Sequence, residues 1–416
     1  MYLVKNKALC DLEGNILQTI ENEIILTEDI IEDYITKEDL DIAMHSYYNI
    51  PLFKLLLLNP DETIKEDITS YIVEENISYS DEYKSGQRRS ISVDVANYDG
   101  AWFPNPVKGK NWSGIKFQLY VGILYKGVVF WFPSGIYYIS NPTINMSEDS
   151  ASFELVDKFA MLDGSLGGTT ESEYKINVND NVCDSIASLL KLDIGNGDIF
   201  DVKKFLFPSK YVTEKTPYTL EKNPESNIGE IILELAEMLS CEIAYNKGGY
   251  LEMISSDELS KIDEKPVMLH ITDEDIELSG VSINIDYTKI INKVTVVGSN
   301  INGNIFDYTA VNDNPASPSS IYFTPPNFKY ISDDNIYSDE LCKERAEYEL
   351  QKSSFLGLSI SVPLNIWAPF LEAGNLITWT SDKYNFKAIK FLVNSVNICG
   401  DGKITLSITN TKELPF

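Results

Sequence analysis

The sequence predicts an α+β chain that is mainly β, with two antiparallel barrels, a helical insert between them and one long helix before the last strands. Three observations predict it. Between Gly86 and Gly168 apolar side chains alternate at Ile91/Val93/Val95, Phe117/Leu119/Val121/Ile123 and Phe153/Leu155, the period of strands with one buried face. A second strand set of the same character ends the sequence, at Leu358–Val362, Leu376–Thr380, Ile389–Ile398 and Ile404–Thr409. Between the two sets the period changes to that of helices, at Val182–Leu192 and Asn227–Tyr245.

Residues 1–66 form an acidic N-terminal segment. Acidic side chains from Asp11 to Asp41 are interleaved with Ile24, Ile25, Leu26, Ile30, Ile31 and Ile35, and periodicity does not decide between strand and helix there. Such a run reads as a solvated face or as a docking surface for a basic partner. The first barrel spans 67–168. Ser70–Glu75 is its expected leading strand and Arg88–Asn97 follows. The tip Asn97-Tyr98-Asp99-Gly100 carries turn chemistry, because Asp and Gly tolerate positive φ. Pro104, Pro106 and Gly109 mark a longer loop, and Lys116–Lys126 with Val128–Ile139 read as a hairpin.

The insert spans 169–275. Its second helix carries Ile228, Ile231, Ile232, Leu235, Met238 and Leu239 on one stripe, with Asn227 and Glu230 spaced as a capping box. Gly248-Gly249 turns into a strand at Tyr250–Ile254. The second barrel spans 276–416. Strands are expected at Ile276–Ile285 and Ile291–Gly298, and the Asn-, Pro- and Ser-rich stretch 300–326 as a mobile surface loop. Ser338 is the expected N-cap of a helix over 338–352, with Asp339 and Glu340 in the first turn, where the helix dipole favours negative charge. Gly374-Asn375 and Gly400-Asp401-Gly402 punctuate the closing strands.

Composition excludes several classes. With 63 Asp plus Glu against 34 Lys plus Arg, the net charge of −29 argues against general nucleic-acid affinity, which needs a basic footprint. An acidic surface repels DNA phosphate or simply keeps a protein soluble. Cys10, Cys183, Cys241, Cys342 and Cys399 are widely spaced with no CxxC, which favours free thiols in a protein made in a reducing cytosol. No signal-peptide pattern opens the sequence. The longest apolar run, Leu55–Leu58, falls far short of the about 20 residues needed to span a bilayer.

Catalytic furniture is sparse. The two histidines, His45 and His270, fit no HExxH, Ser-His-Asp or Cys-His pattern and read as structural or surface residues. Gly164-Ser165-Leu166-Gly167-Gly168 lacks the spacing of a dinucleotide fingerprint. The clusters Asp273-Glu274-Asp275, Glu171/Glu173 and Asp333/Asp334 read as exposed turns, whereas glycosidases hold one acid in an apolar pocket. Asp193–Asp198 faintly resembles a calcium loop but lacks the closing Glu. Trp102, Trp112, Trp131, Phe130 and Phe132 form either a sugar-stacking platform or, with the greater weight, core and interface anchors. No catalytic, cofactor or metal residue is assigned.

Several phrases resemble a known family. Leu371-Glu372-Ala373-Gly374-Asn375-Leu376-Ile377-Thr378-Trp379, preceded by Glu344-Arg345-Ala346-Glu347-Tyr348-Glu349-Leu350 and followed by Phe391–Val396 and Lys403–Thr409, resembles the tail hub proteins of bacteriophages and contractile injection particles. Arg89, Ile91, Val93, Asn97, Asp99 and Gly100, then Trp131-Phe132-Pro133-Ser134-Gly135-Ile136-Tyr137, then Asp157-Lys158 with Leu162-Asp163-Gly164, resemble tail-tip proteins of phages of Gram-positive hosts. The resemblance covers about residues 65–416; the N-terminal 62 match nothing in that family. It implies a non-enzymatic homotrimer in the virion tail tip or baseplate, assembled in the host cytoplasm. Its two tube-like barrels per subunit would adapt a six-fold tail tube to a three-fold spike or fibre and line the DNA channel. Implied neighbours are the tail tube and distal tail proteins, the spike or fibre and the tape measure protein. Specific nucleic-acid binding and membrane insertion are not expected. The sequence ends soon after the second barrel, so no fused peptidase or lysin domain is expected. Two other readings remain open: a receptor- or carbohydrate-binding tail protein using an exposed Trp102/Trp112 loop, and a cell-wall glycoside hydrolase with a buried carboxylate.

Overall fold

The structure, a computed structural model, describes residues 3–5, 8–10, 37–46, 51–98, 100, 102, 114–190, 201–239, 241–255, 264–285, 290–301, 304–317, 319–333, 336, 338–354 and 358–411. The acidic stretch 11–36, Asp99, the loop positions Pro104, Pro106, Gly109 and Trp112, Asp334 and the segment Asp193–Asp198 lie outside the described residues.

Thirteen strands form one continuous sheet. In chain order they are β1 (Leu52–Leu58), β2 (Ile64–Asp67), β3 (Ser78–Glu82), β4 (Arg89–Ala96), β5 (Lys116–Tyr125), β6 (Val128–Asn145), β7 (Ser150–Asp157), β8 (Val267–Thr272), β9 (Ser282–Ile285), β10 (Leu358–Leu364), β11 (Leu376–Ser381), β12 (Phe386–Cys399) and β13 (Ile404–Asn410). They lie in the order β9-β10-β13-β12-β3-β4-β7-β6-β5-β1-β2, with β11 branching from β12 and β8 pairing with β11 in parallel. The mainly β, α+β class expected from the sequence is the observed one.

Alternation builds this sheet. In β4 and β13 every second side chain is buried, so each strand lays one apolar row into the core. The strands before and after the insert do not form separate cores. Phe53, Phe117 and Phe153 from the first set belong to the same apolar cluster as Trp379, Phe391 and Leu406 from the second. The join is made by β12. Its first part pairs with β11, and after a register shift between Val393 and Ser395 its second part, Ser395–Cys399, pairs with β3. The two strand sets are halves of one sheet.

Several boundaries differ from expectation. The sheet begins earlier than residue 67: β1 pairs along its whole length with β5, and the expected boundary at 66/67 falls inside β2. The apolar run Leu55–Leu58, too short for a membrane, is this strand, with all four side chains buried. The expected leading strand Ser70–Glu75 is instead a pair of short 3-10 turns, Thr69–Tyr71 and Glu74–Asn76, and the strand follows at β3. β8 lies in the segment assigned to the insert but belongs to the large sheet. Over 276–285, a 3-10 turn at Leu278–Gly280 precedes the short β9.

The insert has its own core. Helix α2 (Val182–Leu189) and helix α3 (Ile228–Met238) bury Val182, Ile186, Ile231, Ile232 and Leu235 against a hairpin of Cys241–Tyr245 and Leu251–Ser255. The helix expected to continue to Tyr245 stops at Met238, because Ile243 and Tyr245 are wanted in the hairpin facing Met253 and Leu251. At the start of α3 the capping box is not formed. Asn227 donates from Nδ2 to Glu230 Oε1 at 3.2 Å and makes no cap bond to the helix backbone.

A third module follows. Lys293–Ile301, Asn304–Val311 and Phe328–Ser332 form a three-stranded sheet. It packs on a helix, here the last α-helix of the described residues (Asp339–Ser353), burying Val294, Val296, Ala310, Cys342 and Ala346. Ser338 caps that helix as expected, its hydroxyl accepting from Leu341 N at 3.2 Å. The strand assigned to the second barrel at 291–298 therefore sits in this module, and the expected loop 300–326 contains one of its strands. The period-two row of Phe306, Tyr308 and Ala310, which faces the module's core, is obscured in the sequence by the Asn- and Pro-rich composition around it.

Helix α1 (Lys37–Met44) straps the two halves of the large sheet. It buries Leu40, Ala43 and Met44 in the shared core, and Met44 O accepts from Trp367 N at 3.2 Å. Just beyond it, His45 Nε2 lies 2.9 Å from Asp275 Oδ1, and its Nδ1 is 2.7 Å from Asp41 O. Burial pulls the imidazole pKa down, but the Asp41 carbonyl and the Asp275 and Asp41 carboxylates outweigh it and raise it above the ordinary value. A raised folded pKa means a stabilisation present in full below about pH 6.5 and lost as pH rises through the folded value. His45 is 41% exposed, so solvent screening keeps the effect small. Melting temperature is expected to drift downward from about pH 6 to about pH 8, and His45→Gln to remove that part of the slope. Identical slopes in thermal scans of the two proteins would refute it.

Candidate functional site

Two buried ion-pair clusters tie the sheet to the insert, and the first lies where both strand sets meet. In β4, Arg89 stands on the same face as Ile91, Val93 and Val95, so the alternation that buries those side chains buries a guanidinium with them. Arg89 Nε faces Asp81 Oδ1 at 3.2 Å, an ion pair whose alignment falls short of a hydrogen bond. Its Nη1 donates to Tyr245 O at 2.6 Å in the insert, and its Nη2 reaches Glu372 Oε2 at 3.4 Å in the second strand set. One side chain thus touches all three parts.

The segment Leu371–Asn375 supplies the other half of this junction. Gly374 has φ +91, and a Cβ there would lie 2.9 Å from the Tyr83 ring, so glycine is required on both counts. Asn375 Oδ1 accepts from Glu372 N at 2.9 Å and fixes the turn. Ala373 N donates to Asp81 Oδ2 at 3.1 Å, Arg88 Nη2 donates to Ala373 O at 2.8 Å, and Lys247 Nζ donates to Leu371 O at 3.2 Å. Burial pulls the Lys247 ammonium down in pKa despite Glu372 and Asp81. For Glu372 the Lys247, Arg89 and Arg88 charges outweigh burial and hold its carboxyl below the usual value. For Arg89, burial opposes the charge but Asp81 leads a set of anions that overcomes it, so the guanidinium stays ionised.

The second cluster lies at the end of β7. Asp157 takes backbone N–H bonds from Arg88 at 2.7 Å, Arg89 at 2.8 Å and Phe159 at 3.0 Å, and so turns the chain out of the sheet. Lys158 Nζ then lies 2.7 Å from Glu62 Oε1, 2.6 Å from Asp201 Oδ1 and 3.0 Å from Gly249 O. Lys116 reaches Glu62 Oε1 at 3.0 Å and Lys203 reaches Glu62 Oε2 at 3.3 Å. Burial pulls the Lys116 and Lys203 ammonium groups down in pKa, against the opposing pull of Glu62.

Among the described residues no group of His, Cys, Asp and Glu converges as a metal site. A cavity of about 30 Å³ between α3 and the last helix, lined by Glu234, Glu237, Asp333 and Arg345, is an order of magnitude below the about 300–1,000 Å³ of small-molecule pockets.

No family model and no curated protein matches the sequence. Solved structures match by fold. A tail protein from Neisseria meningitidis superposes with a TM-score of 0.58 at 10% identity, covering 86% of this chain and 96% of that one. The 43 kDa tail protein of prophage MuSo2 from Shewanella oneidensis gives 0.54 at 12% identity, covering 86% and 98%. The prophage tail protein gp18 from Listeria monocytogenes gives 0.50 at 10%, covering 85% and 94%. This chain has the fold of phage tail proteins.

Within the tail-protein fold, the phrases that carried the resemblance are joints. Leu371–Asn375 locks the second strand set onto Asp81, Arg88 and Arg89. Asp157-Lys158 starts the passage into the insert, where Gly164 (φ +87) passes so near Asn227 that a Cβ would lie 2.6 Å from its Oδ1. Gly135 (φ +132) lies at the register shift opposite Leu119 and Tyr120, and Tyr137 donates its hydroxyl to Ser134 O at that bend. The remaining candidates are structural too. Asp273 accepts from Trp379 Nε1 at 3.2 Å and from Ser381 at 2.9 Å, and Asp275 accepts from Thr272 N at 2.7 Å. His270 Nδ1 lies 2.7 Å from Thr378 Oγ1 across the β8/β11 pair. Glu171 and Glu173 are exposed. Trp102 is fully buried, as the weightier reading of these aromatic residues as core anchors expects and against the rival reading that puts it on an exposed loop. Sequence reasoning missed Asp81, Lys247, Asp201 and Glu62 as joints; an Arg in phase with three β-branched core residues was the available signal for Arg89.

Proposed function

We propose that this chain is a non-enzymatic structural hub of a phage tail tip or baseplate, a homotrimer that joins the tail tube to a spike or fibre. The observation that carries the proposal is the tail-protein fold, shared over more than four-fifths of the chain with three solved tail proteins. On this reading the two strand sets joined through β12 would act as two tube-like units per subunit, so that three subunits present six to a six-fold tube. The strand sets before and after the insert would supply the two tube-like units of that ring, with the distal tail and tape measure proteins as neighbours. The charge of −29 suits a channel wall past which DNA slides, because an attractive wall would retain the phosphates.

A specific observation also favours receptor or glycan binding. Tyr322, Phe323, Phe328 and Tyr330 are each about two-thirds exposed on or beside the three-stranded sheet. Electron microscopy of the purified chain, alone and with its tail-tube protein, separates the readings. A three-fold ring with six lobes is the expected image. Monomers in both samples, with glycan retention lost on Tyr330→Ala, would replace the hub by the binding module.

A further inference from the structure

We infer that Lys158 and Asp201 are joined by an intramolecular isopeptide bond, formed without any other protein, with Glu62 as the proton-transfer group. The inference rests on geometry alone and does not depend on the functional reading above. Lys158 Nζ is 2.6 Å from Asp201 Oδ1 and 2.7 Å from Glu62 Oε1, and the three side chains are 2%, 1% and 3% exposed. An amine is therefore held against two carboxylates in a site closed to water. The three residues come from the end of β7, from the insert and from the β1–β2 turn, where Glu62 is held in the left-handed region at φ 66.

The surroundings assign the roles. Asp201 is the electrophile: its Oδ2 accepts the Tyr245 hydroxyl at 2.7 Å, the donor that stabilises the oxyanion formed there when nitrogen attacks the carboxyl carbon, while its Oδ1, which accepts Lys203 N at 3.0 Å, is the oxygen that departs. Glu62 touches the nucleophilic nitrogen and is the base. Gly249 O, 3.0 Å from Lys158 Nζ, fixes the amine's direction.

The chemistry balances without a co-reactant. Lys158 as ammonium and Asp201 as carboxylate first exchange a proton through Glu62, giving an amine and a carboxylic acid. The nitrogen lone pair forms the C–N bond, Glu62 takes a proton from nitrogen and passes it to the departing hydroxyl, and the C–O bond breaks to release one water. No group is oxidised or reduced, and Glu62 ends as it began. The product closes the chain between positions 43 residues apart and welds the insert to the large sheet.

Intact-mass measurement of the purified full chain under denaturing conditions is the test, followed by peptide mapping. The expected mass is one water below that of the sequence, with a branched peptide pairing Lys158 and Asp201. Lys158→Arg keeps the positive charge and its ion pairs but forms no such amide, and is expected at its full sequence mass. Glu62→Gln is expected to slow formation by about a hundredfold or more. A full-mass native chain overturns the inference. So does a water deficit that maps to succinimide at Asp99-Gly100, Asp163-Gly164 or Asp401-Gly402, or a deficit that persists in Lys158→Arg.

Discussion

Asp81→Ala is expected to destabilise the protein by about 3–5 kcal/mol, read as a shift in the urea midpoint at unchanged slope. Asp81 and Arg89 have side chains 0% and 1% exposed, so the substitution leaves a guanidinium buried without its main counter-charge. The same change removes the acceptor of Ala373 N, so the Leu371–Asn375 turn loses its anchor to β3. Arg89→Met in the Asp81→Ala background is expected to recover part of the loss, because an apolar side chain of similar length no longer needs a partner. A loss below about 1 kcal/mol for Asp81→Ala, typical of exposed pairs, would show that this junction holds nothing together.

Trp102→Ala is expected to cost about 3–5 kcal/mol and to leave any glycan retention unchanged. The indole is 0% exposed and meets Tyr71 and Phe153 edge to face, with centroids 5.5 Å apart in each case. Its backbone N donates to Asn97 Oδ1 at 3.0 Å, which folds the residue back over the end of β4. Unchanged thermal stability with lost glycan retention would put Trp102 at a binding surface instead.

The strand pattern was legible wherever one face is buried, as in β4, β5, β7 and β13, because period-two burial is written directly in residue order. What was not legible depended on partners distant in sequence. Nothing near Ser78–Glu82 announces that its neighbour is Ser395–Cys399, and nothing near Val267–Thr272 announces a parallel partner at Leu376–Ser381. Helix α3 was placed correctly at its start but overrun at its end, since Cys241–Tyr245 has apolar spacing that serves a helix or a hairpin. The ion-pair junctions were hidden for another reason. Charged residues are common in this sequence, and few, such as Arg89 in phase with Ile91, Val93 and Val95 and Asp157 in phase with Phe153 and Leu155, depart from a solvated pattern. For Trp102 the core reading carried the greater weight, and the loop alternative arose because an aromatic residue beside Pro and Gly looks like a loop tip until Asn97 is seen to hold it inward.

The double pairing of β12 has a mechanical consequence. A strand of 14 residues that serves β11 with one end and β3 with the other acts as a splice plate between the two lobes. Force applied along it loads the Ser395–Cys399 rungs together in shear, so the lobes resist separation more strongly than a joint that unzips one bond at a time. The two halves of the sheet are thereby coupled through shared strand pairing and a shared core. Under axial load the compliance of each subunit falls on the attachment of the three-stranded module, which among the described residues shares no strand with the large sheet.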